Sequence, residues 1–170
     1  AEGEVVRIAT DASSDTVFKG SMCFVAGNGD YRLRTRETKA STDELELEAL
    51  TLALKYLLKV GARKAVIESD SVAALEAVEQ IVHKRGSKAS RPGRTWRGVS
   101  SGARSRFQQA WGDIQGQCEV DIRRVLGHAG DPLNRAADQI AYMGLRAIAH
   151  PMKQSRETLR EGIQKALSAL

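Results

Sequence analysis

Arg124-Val125-Leu126-Gly127-His128-Ala129-Gly130-Asp131-Pro132-Leu133-Asn134-Arg135-Ala136-Ala137-Asp138 is the stretch on which the fold turns. An apolar run stops at a Gly-His-Ala-Gly loop, and the loop hands over to a helix start. Asp131 suits the N-cap, because its carboxylate can accept the unpaired backbone N–H groups of the first turn. Pro132 suits the first helical position, where a missing N–H costs nothing. From Leu133 on, apolar residues recur at Ala136, Ala137, Ile140, Ala141, Leu145 and Ile148, the spacing of a helix with one face on a core. Asn134 and Asp138 are four apart and share the edge of that face. A His on a glycine loop, with an acid on the next helix, makes a plausible active-site rim.

Outward from this stretch, the chain reads as three antiparallel strands followed by alternating helices and strands. Val5 to Asp11 is a strand ending on an acid, Val17 to Ala26 a second, and Gly27-Asn28-Gly29-Asp30 a hairpin turn. Tyr31 to Thr38 is a third strand with one solvated face. Ser41-Thr42-Asp43 caps a long helix to about Val60. Its apolar stripe is Leu50, Ala53, Leu57 and Val60; its polar stripe is Glu44, Glu48, Thr51, Lys55 and Lys59. One turn back from Leu50 lies Glu46, so helical phase turns Glu46 inward and Glu44 and Glu48 to water. Arg63 to Ser69 is a fourth strand leading to Asp70, with a helix after it carrying Val72, Leu75, Val78 and Val82. Ser100 or Ser101 caps a helix through Phe107 and Trp111, and Val120 to Leu126 is the fifth strand. The helix after Asp131 is expected to fray beyond Met143-Gly144, toward His150-Pro151. A final amphipathic helix with Leu159, Ile163, Leu167 and Leu170 on one face is weakened by Gly162. The fold class is α/β, a five-stranded mixed sheet of three antiparallel then two parallel strands, flanked by helices. Residues 1–150 form the catalytic domain and 151–170 a C-terminal amphipathic tail.

The 170 residues are 42% hydrophobic and 28% charged, which is enough for one ordinary domain with a core. No apolar run approaches the roughly 20 residues of a membrane helix, and the N-terminus is not a secretory signal. The start at Ala1, without an initiator Met, reads as a processed, trimmed or excised chain. Cys23 and Cys118 fit no metal spacing and read as buried free thiols of a cytoplasmic protein. The net charge is +5, yet Gln80 to Gly112 holds eight basic residues and no acid, which leaves the rest of the chain net acidic. A basic segment on an acidic domain points to a polyanion.

Four acids share a pattern. Asp11 ends the first strand, Glu46 faces inward on the first helix, Asp70 follows the fourth strand, and Asp138 begins the last helix of the domain. Gathered together, they would repel, and their pKa values would rise. Divalent cations remove that difficulty: hard oxygen ligands suit Mg²⁺, and two ions about 4 Å apart can serve phosphodiester hydrolysis.

At this point the sequence resembles ribonuclease H, type 1. Thr10-Asp11, Glu46-Leu47-Glu48-Ala49-Leu50, Glu68-Ser69-Asp70-Ser71 and Gly127-His128-Ala129-Gly130, with Asn134 and Asp138, carry the likeness in order from about Val5 to Ile148. The resemblance implies endonucleolytic cleavage of the RNA strand of RNA/DNA hybrids with two Mg²⁺ ions, or Mn²⁺ in their place, leaving 5′-phosphate and 3′-hydroxyl ends. It implies Asp11, Glu46, Asp70 and Asp138 as metal ligands and His128 as a mobile catalytic residue. The segment with Lys84, Arg85, Lys88, Arg91, Arg94, Trp96 and Arg97 resembles the handle with which some members grip the duplex. Ser41, Thr42 and Asn134 are further expected substrate contacts. The chain departs from the family's pattern at Ala12, at Thr42-Asp43 and at Val72, positions that help the family read the 2′-hydroxyl in the minor groove. The expected protein is a monomer that contacts no membrane, with the tail available for self-association or a fused domain. The competing readings are another nuclease or strand-transfer enzyme of the same fold acting on DNA, and a non-catalytic hybrid- or duplex-binding module.

Overall fold

The computed structural model describes residues 3–15, 19–83, 99–126, 130–151 and 156–170. Strands β1 (Val5–Ser14), β2 (Gly20–Ala26) and β3 (Tyr31–Arg36) lead into helix α1 (Thr42–Val60). Strand β4 (Lys64–Ser69) and helices α2 (Val72–His83) and α3 (Ser101–Ile114) follow, then β5 (Glu119–Arg124), α4 (Pro132–Ala149) and α5 (Arg156–Leu167). The sheet order is β3-β2-β1-β4-β5. The pairs β1–β2 and β2–β3 are antiparallel, while β1–β4 and β4–β5 are parallel. The expected mixed five-stranded sheet is therefore the observed one. Residues 17 and 18 of the expected second strand lie outside the described residues.

Two apolar clusters hold helices on opposite faces. On one, Ile8, Phe24 and Ile67 of the sheet meet Leu47, Leu50, Leu54 and Leu57 of α1, with Phe107 and Ile114 of α3 beyond. On the other, Ala9, Cys23 and Val25 meet Leu133, Ala137 and Ile140 of α4, and Ile163 and Ala166 of α5 join them. Both cysteines are free and buried.

Helix α1 runs between the sheet and α3, and this overturns the first part of the expected polar stripe, while Lys55 and Lys59 are exposed as expected. Glu44 is only 3% exposed, and Thr51 is equally buried. Glu48 is partly covered and ion-paired with Arg106 of α3. The helical phase was read correctly, but the side opposite the sheet is covered by a second helix rather than by water. Glu44 is accommodated by two partners. Its Oε2 accepts from Arg36 at 2.9 Å, and its Oε1 accepts from the backbone N–H of Ser100 at 2.7 Å.

Helix α4 does not fray at Gly144 but continues to Ala149. A Cβ at Gly144 would lie 2.6 Å from Leu33 Cδ1 and 3.1 Å from Ser21 Cβ. The glycine therefore marks where the helix sits directly on β2 and β3. Gly162 of α5 has the same meaning, since a Cβ there would meet Met143 Sδ at 2.6 Å.

Candidate metal and nucleic-acid site

The sheet topology gathers the acids. The β1–β4 ladder ends at Ala9 and Glu68, while β1 continues beside β2 as far as Ser14. Asp11 is thus not the end of its strand, as expected. It lies just past the point where β1 parts from β4, a gap at the carboxyl ends of parallel strands, where open sheets place their sites. Asp70 follows the last residue of β4 directly. Ser71 caps α2, its Oγ accepting from Ala74 N–H at 3.1 Å. Asp70 is spared that duty. Glu46 enters from α1, whose first turn is fixed by Ser41: its side chain accepts from Glu44 N–H.

Carboxylate oxygens of Asp11, Glu46 and Asp70 lie within 4.8 Å of one another. Burial dominates the electrostatics of Asp11 and Glu46. It pushes Asp11 up to about 7, the Ala12 N–H works against this, and the charge of Asp70 adds to it. Burial likewise raises Glu46 well above the ordinary carboxylate range, and the charges of Asp11 and Asp70 raise it further. Asp138 stands outside the group of three, exposed on α4, and its carboxyl adds slightly to the upward push on Asp11. Cys23, opposite Asp11 in the β1–β2 register, donates from Sγ to Ala137 O at 3.2 Å and so ties β2 to α4 beneath the acids.

The donor set fits a hard divalent cation. All its oxygens are carboxylate, and Glu46 Oε2 is buried with no hydrogen-bond partner. A buried carboxylate oxygen without a donor is costly, and a cation among these three groups would satisfy it.

The sequence reading missed a network beside the site. Arg7 of β1 pairs with Glu68 of β4 and with Asp131, the N-cap of α4. Asn134 Nδ2 donates to Glu68 Oε2 at 3.2 Å and to Asp131 Oδ2 at 3.4 Å. Burial alone would raise Glu68, but Arg7 and Asn134 outweigh it and hold the carboxyl below its usual range. The available signal was an acid within the otherwise apolar Ala65-Val66-Ile67-Glu68 run. Asp131 caps α4 as expected, accepting from Leu133 N–H. Asn134, an expected substrate contact, spends its amide on these two acids. Thr42 Oγ1 is 2.5 Å from Ser14 Oγ, a hydrogen bond between the start of α1 and the end of β1. His128 and the basic residues Lys84, Arg85, Lys88, Arg91, Arg94 and Arg97, with Trp96, lie outside the described residues.

The RNase H family model matches residues 3–146. The chain belongs to the RNase H family. It is thereby a nuclease of ribonuclease H type, in a metal-dependent family that acts on RNA/DNA hybrids. A search of curated proteins finds no match to this chain. Among the described residues, no helix is long and apolar enough to cross a membrane.

Proposed function

We propose that this RNase H protein is of type 1 and cuts the RNA strand of RNA/DNA hybrids endonucleolytically, leaving 5′-phosphate and 3′-hydroxyl ends. The observation that carries the reading is the convergence of Asp11, Glu46 and Asp70 around the unpartnered Oε2 of Glu46. With Asp138 they would hold two Mg²⁺ ions, Mn²⁺ being a substitute. Bound there, the cations supply an activated water and neutralise charge on the scissile phosphate.

The protein's own groups set the terms for that chemistry. Asp11, pushed up to about 7, and Glu46, raised further than an exposed acid would be, must give up protons before they can ligate. Their burial fixes both carboxylates, so they need little reorganisation during reaction. Asp70 and Asp138 are exposed, and in this reading they are the acids open to an approaching duplex. Arg7, Glu68 and Asn134 clamp the start of α4, the helix that carries Asp138. In this reading His128 shuttles a proton or aids product release, and the basic segment grips the hybrid backbone. Residues 1–150 form the catalytic unit of a cytoplasmic monomer. Residues 151–170 form a tail whose helix packs on α4.

The test is cleavage of a hybrid labelled on its RNA strand, with Mg²⁺, beside duplex DNA and duplex RNA. The reading expects cuts in the hybrid alone, with 5′-phosphorylated products. Cutting of duplex DNA would move the protein to another nuclease of the same fold. Salt-sensitive binding without turnover in Mg²⁺ or Mn²⁺ would make it a binding module.

A further inference from the structure

One closed ring of four polar side chains stands at the root of three of the acids. Arg7 of β1 reaches two carboxylates at once. Its Nε donates to Glu68 of β4, and its two terminal nitrogens fork onto Asp131, with Nη1 3.4 Å from Oδ1. Asn134 closes the ring from α4 by donating to both Glu68 and Asp131. Each element in the ring also delivers an acid. Asp11 lies four residues beyond Arg7 on β1, Asp70 two beyond Glu68, and Asp138 four beyond Asn134 on α4.

Arg7 is the cation that lets the ring close. Glu68 Oε2 and Asp131 Oδ2 accept from the same Asn134 nitrogen, which holds the two carboxylates close together. Like charges at such a separation repel. Arg123, opposite Glu68 in the β4–β5 register, pairs with Asp121 on its own strand at 2.6 Å. The apolar face of α4 lies on β1, β2 and β3, while its tie to β4, the strand that leads to Asp70, runs through Glu68. Without Arg7, the acid that caps α4 would be pushed away from the acid on β4.

We infer that Arg7 is a positioning residue for hydrolysis: it holds the first turn of α4 against β4 and thereby sets how far Asp138 stands from Asp11 and Asp70. This takes Asp138 as a metal ligand, as the proposed function has it. Asp138 follows Asn134 by one turn on the same edge of α4, so any shift of that first turn carries its carboxylate along. Glu46 enters from α1 on the opposite face of the sheet and lies outside the ring. Mg²⁺ demands near-octahedral geometry, and a misplacement of about 1 Å can cost a hundredfold in rate. Residues that orient metal ligands commonly change metal affinity or activity by roughly tenfold to a hundredfold.

The experiment compares wild type with Arg7→Met and with the Arg7→Met/Glu68→Gln double variant, each shown by circular dichroism to be folded at the assay temperature. Single-turnover cleavage of a labelled hybrid should slow at least about tenfold in Arg7→Met, with hybrid affinity within about threefold of wild type. The Mg²⁺ concentration for half-maximal rate should rise at least about fivefold. Mn²⁺ binding without hybrid, measured by calorimetry, should weaken by at least about the same factor. The double variant should return to within about threefold of wild type in all three, because its Gln amide keeps the contact with Asn134 and removes the repulsion.

A lower Tm in Arg7→Met, with rate, Mg²⁺ demand and Mn²⁺ affinity all within about threefold of wild type, would make the ring a structural tie and overturn the inference. A double variant no faster than Arg7→Met would overturn it too, since the charge removed would not be the one Arg7 offsets. Arg7→Lys keeps the charge but cannot fork, and should slow cleavage at least about threefold. If Arg7→Met does not fold, wild-type rate and Mg²⁺ demand in Arg7→Lys overturn the inference. Wild-type protein that leaves the hybrid uncut would instead remove the proposed function, and the Mn²⁺ titration would still decide whether Arg7 places the acids.

Discussion

Glu44 Oε1 accepts a hydrogen bond from the backbone N–H of Ser100 at 2.7 Å. Glu44 lies in the first turn of α1, and Ser100 is the N-cap of α3, so a single buried carboxylate joins two helix starts. Its second oxygen is held by Arg36 of β3. Glu44→Ala would leave the Ser100 N–H and the Arg36 guanidinium without that partner. The expected loss is about 2–4 kcal/mol in urea unfolding. Glu44→Gln keeps the oxygen for Ser100 and should cost about half as much. Equal losses for the two variants would show that the bond to Ser100 contributes nothing.

The bridge from Arg7 to Glu68 and Asp131 predicts strong coupling. Arg7→Ala leaves Glu68 buried with less compensation, and Glu68→Gln removes the charge that needs it. The double variant should be less destabilised than the sum of the two single ones, by about 1–2 kcal/mol in a double-mutant cycle. Strict additivity would contradict the pairing.

Stability without divalent cations should fall as pH rises from about 5 to about 8. Asp11 has a folded pKa raised to about 7, so the folded state binds more protons than the unfolded chain over this interval. The stability it contributes is present below its unfolded value of 3.8 and is lost as pH rises through about 7. Glu46 acts in the same direction. Glu44 and Glu68 are lowered, so their contribution is lost only in acid, as pH falls through their folded values. Thermal melting in EDTA should show a Tm at least about 3 °C lower at the higher pH. Added Mg²⁺ should raise Tm more there than in acid, because ligation requires the deprotonated carboxylates.

Two glycine substitutions should have opposite signs. Gly144→Ala puts a Cβ against Leu33 and Ser21 and should destabilise by about 1–3 kcal/mol. Gly112→Ala, within α3, meets nothing within 4 Å and should stabilise by about 0.4–1 kcal/mol. Urea midpoints of the two variants check both.

The contrast between those glycines also shows where sequence reading stops. Period and order were legible: the alternation of strands and helices, the inward phase of Glu46 and the cap at Asp131 all follow from local rules. What a second layer covers was not. Glu44 reads as a solvated acid until α3 is laid over it, and Gly144 reads as a helix breaker until β2 and β3 are brought beneath. Arg7 reads as an ordinary strand cation, because its partners Glu68 and Asp131 are distant in the chain. The acids Asp11, Glu46 and Asp70 could be grouped early because the topology itself brings those strand ends and that helix together.

Single-turnover cleavage of a labelled hybrid by wild type and by Asp70→Asn, with hybrid binding measured alongside, tests the central claim most directly. Asp70 is exposed, so its replacement should leave the fold and hybrid affinity within about threefold of wild type. The account predicts that the cleavage rate falls at least about a thousandfold. A variant that binds the hybrid and cuts it within about tenfold of the wild-type rate would contradict the assignment of these carboxylates to the chemistry.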